Sequence, residues 1–237
     1  ARVRGGTPYV QFLFQDDIWH PTYLDRSLHI LETHPTVGFT AADHRYACEE
    51  HLAVRPLYDH LQEARQNLLS PGLKNGQEFL RWWLERSLHP NVIGEPSFVM
   101  MRHSLIEHVG LFDEHMPQFL DVEYWTRCLA STNWYFLKEN LGTFRVHASG
   151  ASEHNRRENR GMVDRLLCVE RAIRLLPKNM CPNHTKILTH TLEDMIGKFR
   201  KGQGQKPAAT HPIRFLPLLP FCLRHPLLVG KALLSTL

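Results

Sequence analysis

The sequence predicts an α/β fold, and three observations carry the prediction. Short β-type apolar runs recur along the chain: Tyr9–Phe14, Val37–Ala41, Ser97–Met101, Trp134–Leu137 and Gly142–Val146. Segments with helical apolar spacing stand between them, and alternation of the two patterns is the mark of α/β architecture. The chain has 237 residues, 43% of them hydrophobic, enough for a substantial core.

The first run ends abruptly in Gln15-Asp16-Asp17, before Ile18-Trp19-His20-Pro21. It reads as a buried strand with two carboxylates at its carboxyl end, where open α/β sheets bind ligands. Paired oxygen donors suit a hard cation, Mg²⁺ or Mn²⁺, and through it a phosphate. The same acids would also cap the helix that Pro21 opens. That helix carries Leu24, Leu28 and Leu31 on one face and ends at His34-Pro35.

Val37–Ala41 is predicted as a strand, residues 43–58 as polar and irregular, and Leu61–Leu69 as a helix stopped by Ser70-Pro71-Gly72. Asn75 caps a helix whose stripe is Phe79, Leu80, Trp83, Leu84 and Leu88. Gly94-Glu95-Pro96 leads into a strand over Ser97–Met101, and Ser104–Val109 is a short helix closed by Gly110. Asp113-Glu114 marks a turn. Asp121 stands at the mouth of a helix with Tyr124, Trp125, Cys128 and Leu129, followed by strands at Trp134–Leu137 and Gly142–Val146.

Beyond residue 152 the pattern becomes helical. Met162, Leu166, Val169 and Ile173 form a stripe, and a further helix covers about 184–200. Lys201–Pro207 has linker composition, and 213–237 is rich in Leu but broken by Pro217, Pro220 and Pro226. The organisation read here is therefore 1–152, a helical extension over 153–204, and a linker with tail over 205–237.

Net charge is +4 with the two signs interleaved, which fits an anionic ligand or membrane surface and gives no footprint for nucleic acid. Five cysteines, odd in number and without a C-x-x-C pair, argue against a disulfide framework or zinc knuckle and for a reducing compartment. Sixteen histidines show no metal-ligand spacing. No run of about 18 apolar residues is present, so no transmembrane helix is expected.

Four segments in order resemble the family 2 glycosyltransferases of the GT-A fold. They are Phe12–Asp17 followed by Pro21 and Leu24; Gly94–Arg102; Val109-Gly110-Leu111-Phe112-Asp113-Glu114 with Asp121–Arg127 after it; and Phe144-Arg145-Val146-His147 with Ser149 and Ser152. The resemblance covers about residues 1–152. It implies a partial GT-A, Rossmann-like mixed sheet with flanking helices, and transfer of a sugar from a nucleotide diphosphate sugar to an acceptor hydroxyl with inversion. On this basis Asp16 and Asp17 bind a divalent cation and, with Gln15, the donor. Asp121 is the catalytic base, His147 completes the metal shell or meets the diphosphate, and Glu95 and Ser97 face a saccharide or lipid-linked acceptor. Glu123 is the alternative base.

The resemblance has two departures. Phe14 stands where the family often has an acid. The βα units that hold base and ribose are not found, so the chain is expected to be the carboxyl-terminal portion of a longer, cytoplasmic enzyme, poorly able to bind the donor alone. Each site residue also has a plainer role open to it: N-cap for Asp121, surface histidine for His147, turn for Glu95 and Ser97, ion pair for Arg145. A non-catalytic binding module is the alternative function. A phosphohydrolase with Asp16 or Asp17 as nucleophile is less favoured, since D-x-D-x-T is missing. The tail, with Phe215, Leu216, Leu218, Leu219, Phe221, Leu227, Leu228 and Leu233 beside Arg214, Arg224 and Lys231, is expected either to lie at a membrane's inner face or to dock on the protein.

Overall fold

A computed structural model describes residues 6–150, 155, 161–202 and 218–235. It is a mixed α/β structure. Among these residues six strands form one sheet: β1 (Tyr9–Gln11), β2 (Ile18–Trp19), β3 (Val37–Cys48), β4 (Gly72–Lys74), β5 (Val99–Arg102) and β6 (Asn133–Val146). Their order is β1-β5-β3-β6-β2, with β4 also paired to β6. β3 and β6 run parallel as the spine, and every other pairing is antiparallel.

The spine follows from composition. Val37–His44 is buried throughout, as a central strand covered on both faces must be. Phe39 is stacked between Trp125 and Trp134, with ring centroids 5.9 and 5.8 Å away. Such aromatic layers bury large apolar areas and fix the helix above the sheet.

Helices α1 (Tyr23–Thr33), α2 (Arg55–Leu68), α3 (Gly76–Leu84), α4 (His103–Val109) and α5 (Leu120–Ser131) flank the sheet. Asn75 caps α3 by accepting from the Glu78 amide at 3.0 Å, as predicted. Gly76 sits where α3 meets the end of α5; a Cβ there would lie 1.9 Å from the Thr132 carbonyl oxygen. Gly110, at φ 83°, closes α4.

Several expectations are corrected. The first apolar run is not a buried strand with acids at its end. β1 stops at Gln11, lies at the sheet edge and is only half-buried, while Leu13 and Phe14 are exposed. Asp16 and Asp17 instead occupy a turn between β1 and β2. The buried face of α1 is Tyr23, Ser27, Ile30 and Leu31, one step out of phase with the predicted stripe; Leu24 is exposed. Residues 43–58 are not irregular: β3 continues to Cys48 and α2 begins at Arg55, with Pro56 in its first turn. The two predicted carboxyl-terminal strands are one, β6, because its polar Lys138-Glu139-Asn140 segment is an exposed, bulged stretch rather than a break.

The later helices are α6 (Gly161–Ile173), α7 (His184–Gly202), α8 (Leu219–Arg224) and α9 (Pro226–Ser235). α7 runs into the stretch read as linker. Leu166, Val169, Ile187, Phe221 and Ala232 belong to the same buried cluster as Phe39, Trp83 and Trp125. The tail thus packs on the core through Phe221 and Ala232, and Arg224 and His225 bind Glu170 at 2.8 and 3.1 Å. Leu219, Leu223, Leu227 and Leu234 stay exposed. Arg214, Phe215, Leu216 and Ser152 lie outside the described residues. No described helix is long and apolar enough to cross a membrane.

Candidate functional site

The acidic turn is built by hydrogen bonds from distant segments. The Asp17 amide donates to the Phe14 carbonyl at 3.1 Å, closing the turn. The Phe14 amide donates to Ser97 Oγ at 3.0 Å, and the Ser97 carbonyl accepts from Trp19 Nε1 at 2.7 Å and Gln11 Nε2 at 3.0 Å. Ser97 is fully buried. It ties the turn to the sheet, and it is not among the residues lining the cavity described below.

Asp16 and His147 come together, with Oδ2 3.0 Å from Nε2, and His147 Nδ1 lies 2.9 Å from Ser149 Oγ. Arg145 reaches the same place: Nε donates to the Asp16 carbonyl, and the guanidinium lies 3.9 Å from Asp16 Oδ1. Asp17 Oδ1 accepts from the Arg145 amide at 3.3 Å, while Oδ2 is buried without a hydrogen-bond partner. Burial chiefly raises the Asp17 carboxyl to about 6, aided by Glu95 and Asp16; the Ser97 hydroxyl and the Arg145 amide pull the other way. Gln15 is exposed at the tip of the turn.

These residues fit a divalent cation in one respect. A 3.0 Å gap between a carboxylate oxygen and an imidazole nitrogen matches the edge of an octahedron with ligands at about 2.1 Å. Mg²⁺ characteristically takes only one or two protein ligands and completes its shell with phosphate and water. The unpartnered Asp17 oxygen is a further donor beside them. Among the described residues no group of three His, Cys, Asp or Glu forms a ready-made cage.

Asp121 lies in the first turn of α5, partly buried. Its Oδ1 accepts from the Val122 amide at 2.8 Å and its Oδ2 from Asn91 Nδ2 at 2.7 Å. Asn91 Oδ1 in turn accepts from the Gly94 amide at 3.1 Å, and the Gly94 carbonyl accepts from Trp125 Nε1 at 2.9 Å. This loop and α5 therefore hold each other in register. Burial first, and the charge of Glu95 second, push the Asp121 carboxyl up to about 7. Glu123 is buried and clamped by Arg127 at 2.8–3.1 Å, so it is a structural ion pair.

Glu95 sits in a network that sequence reading missed. Its carboxylate accepts from His44 Nε2 at 2.6 Å and from Tyr46 Oη at 3.0 and 3.2 Å, and Arg65 lies 3.7 Å away. Arg65 also bonds Tyr46 Oη at 2.6 Å and reaches Asp43 at 3.5 Å. Burial, reinforced by Arg65, holds His44 below the ordinary histidine range, while the Glu95 carboxylate and the Ala42 carbonyl, 3.1 Å from Nδ1, act the other way. Contacts to His44 and Arg65 outweigh burial and hold Glu95 below the ordinary carboxyl range. Buried charge of this kind costs stability unless fully partnered, and here the partners leave an ionised Glu95 at the surface of a cavity. The signal available was His44 and Tyr46 at strand spacing, i and i+2, in a segment dismissed as irregular.

That cavity has a volume of about 520 Å³, within the range of small-molecule sites. Glu95, Asp121 and Asn91 line it, together with Phe14, Tyr58 and Phe144. Asp16, Asp17 and His147 do not line it themselves. Their chain neighbours Phe14 and Phe144 do, so the acidic turn borders the space on which Asp121 opens. Comparison of the chain with models of known protein families and with curated proteins returned no match.

Proposed function

We propose that the chain carries the acceptor-side machinery of an inverting glycosyltransferase, moving a sugar from a nucleotide diphosphate sugar to an acceptor hydroxyl. One observation supports the reading above the rest. A single cavity receives Asp121, with a carboxyl near neutrality, and is edged by the turn that pairs Asp16 with His147.

In this reading Asp121 accepts the proton of the attacking hydroxyl as the new bond forms at the anomeric carbon. A base titrating near 7 suits that task. Asn91 and the Val122 amide hold the carboxylate in place. Glu95, acceptor-only when ionised, takes hydrogen bonds from other hydroxyls of the acceptor. Asp16 and His147, with Asp17 beside them, would hold Mg²⁺ or Mn²⁺, and Arg145 would meet the diphosphate. A cation there supplies charge neutralisation for the departing diphosphate. The work is assigned to the cytoplasmic side of a membrane, where the exposed leucines of the tail would meet lipid.

Asp121→Asn is expected to abolish transfer while leaving binding of a nucleoside diphosphate with Mn²⁺, read by calorimetry, unchanged; full turnover in that variant would refute the base. One observation favours a non-catalytic binding module instead. Arg145 already sets a positive charge near Asp16. Absence of heat with nucleoside diphosphate and Mn²⁺ would decide for that module.

A further inference from the structure

The cavity is electrically lopsided. At one end, Arg65 supplies its positive charge between the carboxylates of Glu95 and Asp43, and Asp121 adds to the negative side. At the other end stand Arg165 and Lys198, and both bind the same oxygen, Asp194 Oδ2, at 2.7 and 2.9 Å. Among the described lining residues that end holds two cations against one carboxylate. Burial chiefly, with Arg165 and Lys198 acting the same way, holds His89, also in the lining, down to about 4, as expected of a positive local potential. Gln118, also in the lining, has a buried Oε1 without a hydrogen-bond partner, an acceptor suited to a ligand hydroxyl. Apolar and aromatic residues, among them Tyr58, Phe119 and Phe144, also line the cavity.

We propose that the acceptor is an anionic saccharide, whose carboxylate or phosphate seats against Arg165 and Lys198 while its hydroxyls meet Glu95 and Asp121. This rests on reading the cavity as the acceptor site. A neutral sugar would leave the surplus charge of the basic end unmatched. An anion there replaces part of the Asp194 contact with charge-assisted bonds. The orientation of the acceptor is then fixed by charge at both ends, since its anion is repelled from the acidic end.

Equilibrium binding of a hexuronate, a hexose phosphate and the neutral hexose, followed by protein NMR at low and high salt, tests the proposal without any transfer step. The anionic sugars are expected to bind about tenfold more tightly than the neutral one at low salt, with the preference shrinking as salt is added. The uronate and phosphate arms distinguish the two anion sources. Lys198→Gln should lower anionic affinity several-fold and leave the neutral sugar unchanged. Asp194→Asn, which removes the shared counter-charge, should raise anionic affinity, a gain that structural damage would not produce. Equal binding of all three sugars, or a loss of anion affinity in Asp194→Asn, overturns the proposal. Failure of sugar transfer alongside an intact anion preference would instead sink the transferase reading alone.

Discussion

Replacing Asp121 by Asn tests the chemistry and the electrostatics of the site together. The carboxyl rises from an ordinary 3.8 to about 7 in the fold, chiefly through burial. A rise of that size corresponds to at most about 4 kcal/mol. Solvent reaching the partly exposed group reduces it, and about 2 kcal/mol is a working figure. The folded state binds the extra proton, so stability is fully present below about pH 4 and is lost as pH rises through about 7. Asn carries no such cost. It loses one of the two bonds that the carboxylate accepts, but so does the protonated acid of the wild type at low pH. Asp121→Asn is therefore expected to match wild type at pH 4 and to be about 2 kcal/mol more stable at pH 8.5. Urea denaturation across that range measures the widening difference. A stability difference that does not vary with pH would refute the assignment of Asp121 as an elevated carboxyl, whatever happens to activity.

Other consequences follow from the same geometry. Arg65→Met leaves Glu95 and Asp43 buried without their cation and should cost about 3–5 kcal/mol in denaturant unfolding; a loss below about 1 kcal/mol would show that the network is solvated. Gly76→Ala places a methyl group against the Thr132 carbonyl and should lower the thermal midpoint by several degrees, whereas an unchanged midpoint would mean that α3 and α5 move apart freely. Asp16→Asn should weaken Mn²⁺ binding at least tenfold by calorimetry in the presence of a nucleoside diphosphate, and unchanged affinity would move the cation elsewhere. Leu227→Glu with Leu234→Glu should abolish flotation with anionic vesicles; if the unaltered chain does not float, the tail has no role at a membrane.

Much of the architecture was legible because it rests on local chemistry. The Asn75 cap, the Gly110 stop and the aromatic stripes of α3 and α5 are each readable from residue type and spacing. What failed involved competition between distant segments. Tyr9–Phe14 has strand composition throughout, yet Ser97 takes the Phe14 amide and turns the chain away. Residues 43–48 look polar, yet Asp43, His44 and Tyr46 satisfy one another with Arg65 and Glu95, partners that spacing alone does not reveal. The place of Asp121 at a helix mouth was readable, and its contact to Asn91 from thirty residues earlier was not. The basic end of the cavity comes from helices α6 and α7, which the sequence marked only as an extension.

The central claim is that the Asp16–His147 turn and Asp121 act on one bound molecule. With Mn²⁺ and a nucleoside diphosphate added to saturation, paramagnetic broadening of the Asn91 side-chain amide and the Asp121 carboxyl carbon measures their reach directly. The account predicts strong broadening of both, for separations on the order of 10 Å. Saturated binding with sharp Asn91 and Asp121 signals would contradict it.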